Sequence, residues 1–85
     1  MKYNEYMLST EELEEREEKE DLDNLYIVFE EDQTGSKNYD LTKGVFNDFE
    51  VAKKYAEDIH QKEDLFIAEY KKYIEGNYDY LYEVR

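Results

Sequence analysis

Carboxylates recur along residues 9–23 at a spacing that could imitate a nucleic acid backbone. The stretch reads "STEELEEREEKEDLD" and carries nine acidic side chains. On an α-helix, residues three or four positions apart lie about 4.5–6 Å apart along the axis. The phosphates of one nucleic acid strand advance about 3.4 Å per nucleotide, and long glutamate side chains tolerate the difference. The residues with this spacing are Glu11, Glu14 or Glu15, Glu18 and Asp21.

The same run also has a simpler interpretation, as a solvated helix that only keeps the protein soluble. Leu13 and Leu22 are its only apolar residues, and they do not form a stripe. A nucleic acid mimic would need its charges on a pre-organised scaffold, because ordering a flexible tail costs affinity.

Ten tyrosines are the second group of residues that could make contacts. Tyr78, Tyr80 and Tyr82 alternate as in a half-buried strand, and the alternative is an exposed binding patch that stacks on arginine. Ten rings exceed what a core of this size needs, so we expect Tyr3, Tyr6, Tyr39 and Tyr73 to be exposed. The predicted partner-binding residues are Glu11, Glu12, Glu14, Glu15, Glu17, Glu18, Asp21, Tyr3, Tyr6 and Tyr73.

Other chemistry finds little support in the sequence. His60 is the only histidine, there is no cysteine, and the stretch "EEDQTGSKNYD" lacks the ligand spacing of a calcium loop. No glycine-rich phosphate loop or nucleophile elbow is present. We therefore expect no metal site, no cofactor and no enzymatic activity, and we interpret His60 as a helix-end residue.

The charge balance indicates the kind of partner. Twenty-four acidic and eleven basic residues among 85 give a net charge of -13. This charge disfavours direct binding to nucleic acid or anionic lipid and favours a basic protein partner. No apolar run approaches the ~20 residues that span a membrane, and the start of the chain lacks the apolar core of a secretory signal. We expect a cytoplasmic protein of a bacterial host.

The charge and hydrophobic patterns divide the chain into an arm and a domain. Residues 1–24 carry a net charge of -7 and residues 25–85 carry -6. We predict an acidic helical arm over the first range and a compact α+β domain over the second. Ser9 and Glu12 form a capping-box pattern at the start of the arm helix.

The domain pattern begins with a strand and a helix. "LYIVFEE" (residues 25–31) is apolar on both faces and predicts a central strand, and residues 39–42 predict a short strand that pairs with it. Asn47 and Glu50 suggest a second capping box, with Phe46 as the preceding staple residue. After this start, apolar residues fall on one helical face: Phe49, Ala52, Ala56 and Ile59, flanked by Tyr55.

The end of the chain predicts a hairpin of two strands, residues 65–74 and 78–84, joined through "EGN". With a three-residue loop, Ile74, Tyr70 and Ala68 would oppose Tyr78, Tyr82 and Val84. A Gly-Asn loop would shift this register by one residue, and we prefer the first arrangement. The predicted fold is α+β: a three- to four-stranded antiparallel or mixed sheet packed by one amphipathic helix, plus the acidic N-terminal helix.

The segments "LYIVFEED", "GVFNDFEVAKKYAED" and "DLFIAEYKKYI" resemble a widespread kind of small phage-borne protein. The pattern is a strand, a Gly-Val-Phe lead-in to a helix, and a further strand, over about residues 25–74, and it implies fold more than function. The acidic, tyrosine-rich composition also resembles phage inhibitors that mimic DNA, namely anti-CRISPR proteins, anti-restriction proteins and inhibitors of uracil-DNA glycosylase. The signature segment expected of the glycosylase inhibitors is absent.

Two functions follow from these patterns. The first is a phage or mobile-element inhibitor that binds a host nucleic-acid-binding protein, such as a defence nuclease, through an acidic DNA-mimicking surface. The second is a small structural or adaptor module, with homodimerisation as one option, whose acidic helix only aids solubility. Salt should weaken binding steeply in the first and little in the second.

Overall fold

A four-stranded antiparallel sheet with helices on both faces is the framework of the protein. The computed structural model describes residues 3–30, 42–60, 64–77 and 79–84. The elements are a 3-10 turn (Tyr3–Glu5), α1 (Thr10–Glu18), β1 (Tyr26–Glu30), β2 (Thr42–Phe46), α2 (Phe49–Ile59), β3 (Leu65–Glu69), α3 (Tyr70–Ile74) and β4 (Tyr80–Val84). The strand order is β2-β1-β3-β4. The predicted α+β class is confirmed.

Strand β1 lies inside the sheet and is covered on both faces, as its apolar pattern predicted. Ile27 and Phe29 face one side and Val28 faces the other, and all three are buried. The α1-side cluster consists of Leu8, Leu25, Ile27, Phe29, Val45, Phe66, Ala68, Tyr70 and Tyr73. The α2-side cluster consists of Val28, Phe46, Val51, Ala52, Ala56, Leu65, Ile67 and Val84. The two clusters place α1 and α2 on opposite faces of the sheet.

The outer edge of β2 is covered by the N-terminal segment. Met7 forms an antiparallel bridge with Phe46. Two backbone hydrogen bonds flank this bridge, from Leu8 N–H to Val45 O (2.8 Å) and from Asn47 N–H to Tyr6 O (3.0 Å). A Cβ atom at Gly44 would lie 3.1 Å from Met7 Cε, so the absence of a side chain there lets Met7 approach the strand. The N-terminal segment therefore blocks further strand pairing at the C-terminal end of this edge.

Strand β2 and the start of α2 differ from the prediction. The Gly-Val-Phe stretch is part of β2 and not the lead-in to a helix, and most of the predicted strand at residues 39–42 lies outside the described residues. Phe46 is fully buried in this strand. The cap is Asp48 and not Asn47, since Asp48 Oδ1 accepts the Val51 N–H at 3.1 Å. Phe46 therefore lies two residues before the cap and not at the staple position directly before it.

The inner face of α2 agrees with the prediction. Ala52 and Ala56 are fully buried, and Phe49, Tyr55 and Ile59 pack against the α2-side cluster. His60 is the C-cap of this helix, as its interpretation as a helix-end residue required. Alanine at the two central positions lets the helix backbone approach the sheet closely.

The predicted hairpin near the C-terminus is wrong, because the chain forms α3 between the two strands. "EGN" ends this helix: Gly76 has a φ of +92°, the Asn77 N–H donates to Lys72 O (2.9 Å) and the Gly76 N–H donates to Tyr73 O (3.1 Å). This is the Schellman arrangement of a helix C-terminus and not a hairpin loop. Tyr70 and Ile74 therefore lie in a helix and do not oppose β4.

A bulge separates the tyrosines of β4 onto opposite faces. Ile67 pairs with Tyr82 and Ala68 pairs with Tyr80, so Leu81 is the extra residue. The Tyr80 ring packs on Phe66 of the α1-side cluster, with ring centroids 4.8 Å apart. The Tyr82 ring lies on the α2 side, with Lys53 Nζ 4.7 Å from its centroid. The predicted single tyrosine face is therefore wrong.

Candidate functional site

The acidic helix α1 begins at its predicted cap. Ser9 Oγ accepts the Glu12 N–H at 3.2 Å and donates to Glu12 Oε1 at 3.3 Å. Ser9 has extended backbone angles, as an N-cap residue should. The predicted N-cap at Ser9 is confirmed, and the Glu12 carboxylate accepts from the Ser9 hydroxyl and not from the Ser9 N–H, as it would in a full capping box.

The helix ends one turn before Asp21, which removes this residue from the predicted line of carboxylates. The Asp21 N–H donates to Arg16 O at 2.9 Å and Glu20 has a φ of +56°, so the helix closes in a Schellman motif without glycine. The Asp21 carboxylate lies 3.5 Å from the Arg16 guanidinium. Lys19 Nζ lies 3.0 Å from Glu15 Oε1, one turn away on the same helix. Arg16 therefore pairs with Asp21, while Glu12 is held by Ser9.

The inner side of α1 is anchored to the domain at several points. Leu13 and Leu22 pack against the α1-side cluster. Tyr70 Oη donates a hydrogen bond to Glu17 Oε1 at 2.7 Å. Burial, together with this hydrogen bond and the Glu17 charge, raises the pKa of Tyr70 well above the usual value near 10. After the helix, Lys71 Nζ lies 3.7 Å from Asp23. These contacts place the helix on the α1 side of the sheet, with Leu13 and Glu17 turned toward the domain.

The opposite side of α1 presents four glutamates to solvent. A step of 100° per residue places Glu11, Glu15 and Glu18 roughly opposite Leu13, with Glu14 beside them. All four are exposed. We call these four residues the outward face. It extends about 10.5 Å along the axis, and within the described part of the chain only Lys19 forms an ion pair with it.

The tyrosines predicted to bind a partner do not lie together with the acidic residues of α1. Tyr3 donates a hydrogen bond to Asp58 of α2, so it lies on the α2 side of the sheet. Tyr6 is 36% exposed. Tyr39 lies outside the described residues. Tyr73 is only 7% exposed and stacks near Phe29, so the prediction that it lies on the surface is wrong and it offers little surface to a partner.

Not every acidic group joins the outward face. Glu57 and Asp58 sit near the end of α2, where Glu57 accepts a hydrogen bond from Tyr82 Oη at 3.3 Å. Because α2 packs on the other face of the sheet, these carboxylates form a separate group. The candidate site is therefore the outward face alone, with Glu12, Glu17 and Asp21 occupied by internal contacts.

A surface cleft of about 350 Å³ lies beside the chain segment that follows α1, between this segment and α3. Its two lysines are already paired, Lys71 with Asp23 and Lys72 with Glu69 at 3.2 Å.

In the described residues, no group of three or more histidine, aspartate or glutamate side chains is arranged to hold a metal ion. No helix among them is long and apolar enough to cross a membrane.

Two features of the site escaped the sequence analysis. Tyr70 was placed in a strand, although Tyr70 and Tyr73 are spaced as one face of a helix. No sequence pattern predicted the left-handed conformation of Glu20, because glycine is the residue that usually marks such a position.

Searches against protein-family models, curated proteins and solved structures each found no match to this chain.

Proposed function

We propose that this protein is an inhibitor, encoded by a phage or another mobile element, that binds a basic nucleic-acid-binding protein of its bacterial host. The proposed targets are defence nucleases of the kind that anti-CRISPR and anti-restriction proteins block. The outward face of α1 occupies the target surface that otherwise holds phosphates. The target remains open within this class.

The observation that carries the proposal is that the outward face belongs to a capped helix with contacts to the folded domain. A flexible acidic tail loses affinity because its ordering entropy is lost on binding. Here the cap at Ser9, the Tyr70–Glu17 hydrogen bond and the packing of Leu13 hold the helix before any partner arrives. The exposed carboxylates are therefore pre-organised, and their charge supports fast, salt-dependent association with a basic surface.

A matched pair of variants tests this proposal. Glu11→Gln, Glu14→Gln and Glu18→Gln together remove three charges from the outward face, and none of these residues has an ion-pair partner in the described part of the chain. The control replaces Glu5, Glu50 and Glu75 by Gln, which removes the same charge from exposed positions on other elements. Each protein is immobilised, and proteins captured from a bacterial lysate are eluted with increasing salt or with duplex DNA.

We expect the wild type and the control to retain the same nucleic-acid-binding proteins, and duplex DNA to displace them. The outward-face variant should retain them at least about tenfold less, which corresponds to about 1.4 kcal/mol. Capture should fall steeply as salt rises from about 50 to about 500 mM. Equal capture by both variants, or elution that ignores salt and DNA, would refute the proposal.

The second candidate, an interaction module with a merely solubilising helix, is favoured by one observation. Strand β4 is an edge strand whose Tyr80 and Leu81 are 51% and 54% exposed. In this case the outward-face Gln variant would bind as well as the wild type. A homodimer through this edge would show a mass of two chains in sedimentation experiments.

A further inference from the structure

The N-terminal segment, residues 3–8, holds the β2 edge with side chains on both faces of the sheet. Met7 pairs with Phe46 and packs against the α2-side cluster, whereas the next residue, Leu8, is buried in the α1-side cluster. Two backbone hydrogen bonds flank the bridge. Because the backbone bonds are so few, the packing of Met7 and Leu8 supplies much of the free energy that keeps the segment on the strand.

The Met7 thioether lies in a space that a glycine leaves open. A Cβ atom at Gly44 would lie 3.1 Å from Met7 Cε and 3.5 Å from Met7 Sδ. The sulfur therefore lies directly over the backbone of β2, on the face of the sheet that α2 covers. A change in the size or polarity of this sulfur acts on the contact that joins the segment to the strand.

The surroundings of this sulfur are unsuited to a polar group. The buried members of the α2-side cluster, against which Met7 packs, are aliphatic or phenylalanine side chains and carry no hydrogen-bond donor. Two tyrosines that pack on the same cluster already donate, Tyr3 to Asp58 and Tyr55 to Lys43 O. An oxygen added to the sulfur would therefore lack a partner in the folded contact and would be hydrated only if the segment moved away.

Met7 is also within reach of a small oxidant. Its side chain is half-buried, and the sequence contains no cysteine whose thiol would compete. Hydrogen peroxide oxidises a thioether to a sulfoxide by transfer of one oxygen atom. The sulfur lone pair forms the S–O bond, the O–O bond breaks, and the proton on the transferred oxygen passes to the departing hydroxide. The sulfur loses two electrons, and the peroxide is reduced to water.

We propose that Met7 is a site of reversible oxidation by peroxides, and that its sulfoxide detaches the N-terminal segment from the β2 edge. Detachment uncovers the C-terminal end of this edge and frees the chain that leads into Ser9, the N-cap of α1. A methionine sulfoxide reductase reverses the change, since it oxidises two thiols to a disulfide, releases water and restores the thioether. The switch acts within the fold, and it does not depend on the proposed inhibition.

The test follows the edge contact in the full chain before and after oxidation. Hydrogen peroxide is added to the 15N-labelled protein, and peptide mapping by mass spectrometry measures the oxidation of Met7 and of Met1 separately. Amide hydrogen exchange is then recorded by NMR at Leu8 and Asn47, whose N–H groups form the two hydrogen bonds across the edge. We expect these two amides to exchange at least about tenfold faster in the Met7 sulfoxide.

The rest of the sheet and the reverse reaction supply internal controls. Amides of β1 that pair with β3 should change less than about twofold, because their hydrogen bonds lie away from the β2 edge. Treatment with methionine sulfoxide reductases of both stereospecificities, with dithiothreitol as the thiol, should restore slow exchange at Leu8 and Asn47.

Met7→Leu is the matched variant, because leucine keeps an apolar side chain of similar volume and has no sulfur to oxidise. Met1 remains in this variant and is oxidised as in the wild type. After the same peroxide treatment, exchange at Leu8 and Asn47 should stay within about twofold of that in the untreated variant. Acceleration as large as in the wild type would assign the effect to a residue other than Met7 and refute the proposal.

Three further results would overturn the assignment. The first is a Met7 that stays unoxidised under conditions that oxidise Met1 completely. The second is unchanged exchange at Leu8 and Asn47 in protein with fully oxidised Met7, because the other contacts of the segment would then suffice to hold it. The third is an equal acceleration throughout β1 and β3, because Met7 would then support the whole fold and not one edge.

Discussion

Tyr70 joins two parts of the chain that are 53 residues apart, since its hydroxyl donates to the Glu17 carboxylate at 2.7 Å. Its ring lies in the α1-side cluster while its oxygen reaches the acidic helix. Tyrosine suits this position because it combines an apolar body with one polar group. A single side chain thus contributes both to the core and to the orientation of the outward face.

Tyr70→Phe tests the value of this hydrogen bond with the ring left in place. We expect a loss of about 1 kcal/mol in the free energy of unfolding at pH 7, at the lower end for bonds to charged groups because Glu17 is solvent exposed. Chemical denaturation with urea measures the change. Tyr80→Phe, at an exposed tyrosine, is the control and should change stability little. Equal losses in the two variants would contradict a specific role for the Tyr70 hydroxyl.

The raised pKa of Tyr70 gives this comparison a pH dependence of known sign. The folded protein holds the phenol neutral, whereas the unfolded chain ionises near the usual value of about 10. The contribution of Tyr70 is therefore fully present below pH ~10 and is lost as the pH rises toward the folded-state pKa. The advantage of the wild type over Tyr70→Phe should shrink above pH ~10, while the other tyrosines cancel in the difference. An advantage that grows with pH would contradict this assignment.

Helix α1 ends in a conformation that its sequence does not favour. Glu20 occupies the left-handed position of the Schellman motif with a φ of +56°, where glycine is the usual residue. A non-glycine residue in this region carries a backbone cost of about 1 kcal/mol. The anchors at Leu13 and Glu17 offset this cost, which explains how a helix with no fully buried residue keeps its end.

Glu20→Gly should relieve this cost and stabilise the end of α1. We expect hydrogen exchange of the last α1 amides to slow, because the free energy of local opening rises by about 0.5–1 kcal/mol. Exchange in β1 and β3 should change little. Glu20→Gln is the matched control, because it removes the same charge but keeps the side chain in the left-handed region. If Gln slows exchange as much as Gly does, charge and not backbone strain is the cause.

The elements that the sequence predicted correctly are those with a strong local pattern. Strand β1 and helix α2 have distinct periodicities, and Ser9 caps α1 as expected. The errors arose where one pattern fits two structures. "YKKYI" is compatible with a strand or with a short helix. A glycine such as Gly76 can form the loop of a hairpin or end a helix. Which acids have partners inside the protein depended on tertiary contacts such as the Tyr70–Glu17 hydrogen bond, which no local pattern contains.

The molecule as a whole carries a large negative charge, and its core must offset the repulsion between the like charges. Residues 1–24 carry -7 and residues 25–85 carry -6, so the acidic segment and the rest of the protein repel each other. The ion pairs Lys19–Glu15 and Lys71–Asp23 are exposed and contribute at most about 1 kcal/mol each. Screening by salt should therefore weaken the repulsion between the acidic residues more than the attraction within the ion pairs.

Salt should consequently stabilise the fold while it weakens binding to a basic partner. We expect the midpoint of thermal unfolding to rise by about 5 °C between about 10 and 500 mM sodium chloride, because about 1 kcal/mol shifts a domain of this size by 4–8 °C. Near-UV circular dichroism of the tyrosines follows the transition. The outward-face Gln variant carries three fewer charges and should show a smaller rise. A midpoint that falls with salt would mean that the ion pairs, and not the repulsion, dominate the electrostatics of this fold.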